Sequence, residues 1–219
     1  MSETDNKKEI RLLEAVLPHV LFDGWTRKAM IAAAKDLDED ISVFDLAFSG
    51  GAIDLITLFI ETADDRMEAE LIKRDVLTLK IRDRITLAIR LRLEMYSEHK
   101  EAVRRAANIL ALPQHLVRAT KLTTATVSRM WYATGDSSTD FNWYSKRLTL
   151  SAVYGATFLY WLEDKSESHF KTWEFLDRRI ENVMQVETAK YKCRERLKQK
   201  PDISGFPSPA RFFRNLRTR

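Results

Sequence analysis

Cysteine is almost missing from these 219 residues, with Cys193 standing alone. One thiol excludes a disulfide framework and a thiolate metal cluster. No histidine lies near it in sequence, so it reads as incidental rather than catalytic. Glycine is scarce, six in all and scattered, and neither a phosphate-cradling loop nor a dinucleotide fingerprint is present. None of the four histidines (His19, His99, His115, His169) completes the Glu-x-x-His pair of a carboxylate-bridged di-iron bundle or the His-Glu-x-x-His of a zinc helix. No cofactor, metal site or catalytic residue is therefore expected. Long apolar runs are lacking too. The longest uncharged stretch, Leu148–Leu162, has fifteen residues, whereas a membrane span needs about 20. It reads as a buried helix. The N-terminal Met1-Ser-Glu-Thr-Asp-Asn-Lys-Lys-Glu9 has no apolar core for a signal peptide and is too acidic for a mitochondrial transit peptide. A cytoplasmic protein, peripheral to the inner membrane, is the expectation.

What is present is apolar bulk and unevenly placed charge. At 45% hydrophobic and 10% aromatic, the chain can fill a core. Its net charge of +4 divides into +8 over residues 189–219 and −4 over residues 1–188. A basic tail on an acidic body points to an anionic partner for the tail.

Between sparse Gly and Pro run helical periodicities, with almost no alternation of period two. The spacing predicts a first helix from Thr4 or Asp5 to Val16, then a turn at Phe22-Asp-Gly-Trp25. Thr26 is placed to cap a short second helix, and residues 41–48 form a very short third. Gly50-Gly51 opens a longer fourth. Longer helices follow at Leu77–Tyr96, Glu98–Leu112 (stopped by Pro113), Gln114–Tyr132, from Ser138 or Thr139 to Leu162, and from Ser166 or Ser168 to about Lys198. The reading is an all-α bundle of about nine or ten helices. Residues 1–70 form a helix-turn-helix-like part, residues 71–198 a larger helical domain, to which the family resemblance given below assigns lipid binding and dimerisation, and residues 199–219 a linker with a short basic segment.

Three short helices followed by five or six longer ones resemble the plan of TetR-type transcriptional regulators. A ligand-responsive regulator is therefore the alternative function. Its chemistry is wrong, however. The candidate recognition helix, Ile41-Ser-Val-Phe-Asp-Leu-Ala-Phe48, has no Lys, Arg, Asn or Gln, and Asp36, Asp38, Glu39 and Asp40 precede it. Base edges need donors and phosphates need cations. No nucleic acid is expected as a partner.

Asp140, Trp143, Tyr144 and Arg147 share one helical face at i, i+3, i+4 and i+7. A Trp and a Tyr between opposite charges suit a protein contact; a half-buried amphipathic helix is the alternative. The segment Gly135-Asp-Ser-Ser-Thr-Asp-Phe-Asn-Trp-Tyr-Ser-Lys-Arg147 resembles the signature of the Coq-nine family of ubiquinone biosynthesis accessory proteins. Leu17-Pro-His-Val20, Phe22-Asp-Gly-Trp25, Phe48-Ser-Gly-Gly-Ala52, His99-Lys-Glu-Ala-Val-Arg-Arg105 and Thr172–Ile180 agree with it. Ser49 departs, where many members have proline. The resemblance covers roughly residues 9–190, and the chain is identified as a bacterial member. It implies a TetR-like fold without DNA binding, a homodimer, and an apolar cavity for an isoprenoid lipid or phospholipid. It also implies a partner, the di-iron demethoxyubiquinone hydroxylase, although residues alone do not separate a di-iron from a flavin enzyme. Carried over, the partner patch is Met130, Asp140, Trp143, Tyr144 and Arg147.

For the lipid, the large apolar groups of the later helices supply candidates: Trp131, Tyr154, Phe158, Trp161, Trp173 and Leu176. Sequence does not distinguish wall from core among them. In the tail, Ser208 at N-cap and Pro209 at N1 begin a short helix. Phe212 and Leu216 lie on one face with Phe213 adjacent, and Arg211, Arg214 and Arg217 lie around the sides. These six make a candidate membrane-binding segment; a disordered basic tail and RNA contact are the other readings.

Overall fold

A computed structural model of the chain describes residues 3–136 and 141–198. Among the described residues there are nine α-helices and no strand. They are α1 (Glu3–Asp23), α2 (Arg27–Asp36), α3 (Ile41–Ala47), α4 (Ala52–Lys73), α5 (Ile81–Glu94), α6 (Lys100–Leu110), α7 (Leu116–Ala133), α8 (Phe141–Glu163) and α9 (Phe170–Lys198). No single described helix is long and apolar enough to cross a membrane. Residues up to Ile180 form one compact unit, and a second begins at Glu181.

The first three helices match expectation with one correction. Thr26 caps α2, its Oγ1 accepting from the Ala29 amide at 3.5 Å. Asp40 caps α3 by accepting from the Ser42 amide at 2.8 Å. The correction is α1, which does not stop at Val16 but continues through Pro18 to Asp23. Proline removes one backbone donor inside a helix. Here Leu12, Leu13, Val16 and Val20 form an unbroken buried stripe on both sides of it, and that packing outweighs the lost bond. The chain turns only at Gly24, where φ is +69°, a value that favours glycine. Trp25 then reaches across the unit. Its indole donates to the Ala102 carbonyl at 2.8 Å, and its ring lies 5.3 Å from that of Phe59.

A second correction falls at Leu77–Tyr96, where one helix was predicted. The structure has a 3-10 turn at Val76–Thr78, and α5 begins only at Ile81. Asp75 before it is left-handed, with φ +48°. Arg84 braces the irregular turn, donating to the carbonyls of Leu77 and Leu79 at 2.5 and 2.7 Å and to that of Thr134 at 3.0 Å. Gly135 lies beside it with φ +89°, a value that favours glycine.

Pro113 does end the preceding helix region, sitting in a 3-10 turn before α7. At the α8–α9 joint the predicted Ser166 does cap, its Oγ accepting from the Lys171 amide at 3.3 Å, but it is not alone. Asp164 is the anchor, accepting from the amides of Ser166 and Thr172 at 2.8 and 3.0 Å and from Thr172 Oγ1 at 2.6 Å. Burial opposes its charge, yet these hydrogen bonds outweigh burial and hold the carboxyl well below the usual carboxylate range. α4 packs against both α1 and α7, and α8 packs against α7. In the second unit, Glu181–Lys198 is the distal part of α9, exposed along almost every side chain described there.

Candidate functional site

The central feature is a cavity of about 320 Å³ in the first unit. Its walls come from α4 to α8 and the turn after α6: Phe59 and Ile60, Arg92, Tyr96, Val103, Ala106, Ala107, Leu110 and Ala111, Leu116, Ala119, Leu122, Thr123 and Thr126, and Tyr154, Gly155, Phe158 and Leu159. The wall is overwhelmingly apolar. Small side chains from α6, α7 and α8 make the room, and a Cβ on Gly155 would meet nothing within 4 Å. Ala111, Leu116 and Leu159 are exposed, while Phe59, Arg92, Tyr96, Val103, Leu122, Thr126 and Tyr154 are buried.

Of the six lipid candidates, Tyr154 and Phe158 line this cavity. The other four do not, for separable reasons. Trp161 continues the Tyr154–Phe158 stripe by one more turn and passes the end of the cavity. It is fully buried, with Lys100 Nζ 4.9 Å above its ring and His169 against it. Leu176 is core. The Trp173 indole donates to the Ser168 carbonyl at 2.8 Å and carries the Arg90 guanidinium at 5.0 Å. Trp131 lies under Lys146 at 5.4 Å. The α4, α5, α6 and α7 walls were missed in the sequence. A signal was present: Arg92 interrupts the apolar stripe Ile85, Ala88, Ile89 of α5, and Asp64 interrupts that of α4.

Those two interruptions meet. Arg92 is 1% exposed, and its Nε donates to Asp64 Oδ1 at 2.5 Å. Its Nη2 donates to the Tyr96 hydroxyl at 2.5 Å and to the Ile60 carbonyl at 3.1 Å. Thr126 Oγ1 donates to Asp64 Oδ2 at 2.8 Å. Burial works against the Arg92 charge, but Tyr96, Tyr154 and Asp64 outweigh it and hold its pKa above the ordinary value. Burial pushes both phenols, Tyr96 and Tyr154, upward. Both remain protonated donors near neutral pH.

The second candidate surface lies where α7 ends and α8 begins. Arg147 is its centre, though not as a contact residue, since it is only 4% exposed. Its guanidinium lies 4.0 Å from the Trp143 ring and 4.9 Å from the Tyr132 ring, and its Nε donates to Ser128 Oγ at 3.2 Å. The Asp136 carboxylate holds Lys146 at 2.6 Å and Arg147 at 3.4 Å. Trp143 packs edge-on against Tyr144 at 4.8 Å, and its indole donates to the Tyr132 hydroxyl at 3.4 Å. Met130 is fully buried, so it and Arg147 are corrected from contact residues to supports. The side chains that face outward are Tyr144 at 67%, with Tyr132 and Leu148, neither of which was among the candidates. Asp140 and the candidate membrane residues Arg211, Phe212, Phe213, Arg214, Leu216 and Arg217 lie outside the described residues.

Around α3 three acidic side chains are paired within the fold: Asp45 with Arg27 at 2.6 Å, Asp36 with His19 at 2.6 Å and Glu39 with Arg11 at 2.5 Å. Leu46 is the most exposed apolar residue there.

These helices define an all-α protein of TetR-like fold. The TetR transcriptional regulator from Nitrosomonas europaea ATCC 19718 superposes with a TM-score of 0.69, covering 82% of this chain and 99% of that one at 20% sequence identity. At that identity the likeness concerns the fold alone. A second likeness lies in the sequence. The COQ9 family model matches residues 116–187, which take in the α7–α8 surface. Ubiquinone biosynthesis protein COQ9, mitochondrial, from Rattus norvegicus is 33% identical over 191 residues, 84% of this chain and 61% of that protein. Its Drosophila melanogaster counterpart is 34% identical over 185 residues, 81% of this chain and 55% of that protein. The human one is 32% identical over 191 residues, 84% and 60% respectively. The chain is similar in sequence to COQ9 proteins, and it spans about three fifths of the length of these curated relatives.

Proposed function

We propose that this chain is a non-enzymatic accessory protein of ubiquinone biosynthesis. It takes one end of a lipid precursor into the α4–α8 cavity and presents it to the demethoxyubiquinone hydroxylase, a di-iron enzyme, docked on the α7–α8 surface. The observation that carries the reading is the cavity itself. Its 320 Å³ lies at the lower end of the roughly 300–1,000 Å³ usual for small-molecule sites. It suits the end of an isoprenoid lipid, or an acyl chain of a phospholipid, while the remainder stays outside. Relatives named as ubiquinone biosynthesis proteins support the pathway, and their names place them in mitochondria. This chain is placed at the surface of the membrane that holds the lipid. The +8 charge of residues 189–219 supports that placement, because anionic leaflets attract such segments. The protein acts as a homodimer in this reading. The regulator alternative is disfavoured by α3, which offers neither a cation nor an amide to DNA.

Native mass spectrometry of the purified full chain, followed by lipid extraction, tests the cavity. A bound isoprenoid or phospholipid is expected. An empty protein that shifts DNA from its own upstream region would overturn the reading in favour of a regulator. The docking surface has a separate test: Tyr144→Ala should weaken capture of the hydroxylase by about tenfold, as expected for an exposed aromatic anchor, with the thermal melt unchanged. Undiminished capture would remove this surface from the proposal.

A further inference from the structure

Of the twelve residues 72–83, which join α4 to α5, only Val76 is buried. The two helices pack against each other, so this corner projects from one end of the unit. Four aliphatic side chains stand on it within ten residues of chain: Ile72, Leu77, Leu79 and Ile81, between 42% and 69% exposed. Single apolar residues scattered over a surface need no explanation, but a cluster marks an interaction site. The turn that carries them is braced. Arg84 holds the carbonyls of Leu77 and Leu79, Thr78 Oγ1 donates to the Asp75 carbonyl at 3.1 Å, and Val76 is seated in the core. The aliphatic groups are therefore presented in a fixed arrangement, and little ordering remains to be done on contact.

The neighbouring charges indicate what this corner meets. Lys73, Arg74, Lys80 and Arg82 are interspersed with the aliphatic residues and are exposed. Residues 70–84 hold five basic side chains against three acidic ones, on a body whose net charge over residues 1–188 is −4. Glu70 pairs with Arg74 at 2.8 Å and with Lys73 at 3.9 Å, and Asp83 pairs with Arg82 at 3.4 Å. Exposed pairs of this kind are weak, so these cations can turn to other anions. Protein contacts are rich in aromatic residues and arginine, and their hot spots are poor in leucine and lysine. That describes the α7–α8 surface, with Tyr132, Trp143 and Tyr144. It does not describe this corner, which has no aromatic residue between Ile72 and Arg84. Aliphatic groups that enter hydrocarbon, beside cations that meet phosphates, suit a bilayer. We propose that the α4–α5 corner is a membrane-contacting surface: Ile72, Leu77, Leu79 and Ile81 enter the interface of an anionic leaflet while Lys73, Arg74, Lys80 and Arg82 pair with its headgroups. The corner includes no residue of the cavity wall and none of the basic tail, so it goes beyond the function proposed above and stands apart from lipid uptake. Through the bond from Arg84 to the Thr134 carbonyl, and through Leu77 beside Gly135, it adjoins the C-terminal end of α7. A leaflet held here lies next to the α7–α8 surface, so a protein docked on that surface is brought to the membrane.

The test uses the full chain with Cys193→Ser, carrying either Leu79→Cys or Leu46→Cys, each labelled with an environment-sensitive dye. Leu46 lies on α3 and is equally accessible to a label, being 83% exposed. The probe is vesicles of phosphatidylcholine with roughly one third phosphatidylserine, an anionic surface. On these vesicles the Leu79 label is expected to shift to the blue while the Leu46 label stays as in water, and the shift should shrink as salt rises. An unshifted Leu79 label, or equal shifts at both positions, overturns the proposal. In the unlabelled chain, Leu79→Asp with Ile81→Asp should weaken vesicle co-sedimentation by at least about tenfold, with the native mass unchanged. Undiminished sedimentation overturns the proposal and leaves any membrane contact to other parts of the chain. A dimer reduced to a monomer with vesicle binding intact also overturns it, and makes the corner a contact between copies. None of these results bears on the cavity, whose reading is tested by the lipid that co-purifies.

Discussion

Asp64→Ala should lower the stability of this protein by about 3 to 5 kcal/mol, the cost of stranding a buried charge. At this chain length that corresponds to a fall of roughly 10 °C in the thermal midpoint. Two bonds go together, the Arg92 Nε contact at 2.5 Å and the Thr126 hydroxyl contact at 2.8 Å, and with them the neutralisation of a guanidinium that is 1% exposed. The volume removed is small, so a pure cavity effect would give much less. A double variant separates the two explanations. Asp64→Leu with Arg92→Met replaces the pair by hydrocarbon and should recover most of the loss, because well-packed apolar residues often match or exceed a buried ion pair. A double variant no more stable than Asp64→Ala would show that packing, and not the orphaned charge, sets the cost.

Gly155→Phe should abolish most lipid binding, by at least about tenfold, without lowering the melting temperature. Gly155 sits within α8 and lines the cavity, and nothing stands within 4 Å of where its Cβ would be. A side chain there therefore starts into space that the ligand would otherwise use, its Cβ meeting no neighbour. Replacing glycine within a helix also stabilises it, by about 0.5 to 1 kcal/mol for Gly155→Ala. The two substitutions together make a control series: Ala raises stability and spares binding, while Phe removes binding. Decylbenzene affinity measured by calorimetry is the readout. Undiminished affinity in Gly155→Phe would place the ligand elsewhere.

Local signals marked much of this fold. The Thr26 cap, the short α3, the stop at Pro113 and the all-helical class follow from side-chain chemistry within a few residues. What escaped was decided by tertiary contact. No local rule carries a helix through Pro18; the buried stripe from Leu12 to Val20 does. No glycine or proline marks the break before Ile81; Arg84, reaching back to Leu77 and Leu79 and across to Thr134, holds it. The site divides in the same way. The α7–α8 aromatic cluster was visible because its residues are neighbours on one helix face. Which of them point outward was not, since burial of Arg147 depends on Tyr132 and Asp136 coming from another segment. The cavity was half visible. Aromatic residues drew notice to α8, whereas the space itself is made by alanines and a glycine, whose contribution is what they lack. Arg92 and Asp64 were the overlooked clue, two charges each set on an apolar stripe twenty-eight positions apart.

The buried position of Arg147 has a consequence for how the α7–α8 surface meets another protein. A guanidinium 4.0 Å from one ring and 4.9 Å from another has already taken away the rotamer freedom of Trp143 and Tyr132. Ordering such side chains normally costs roughly 0.5 to 1.5 kcal/mol each when an interface forms. Here that entropy is surrendered during folding, before any encounter. A protein docking there, as proposed, would meet a surface already ordered on this side, and less of the binding energy would go into ordering it.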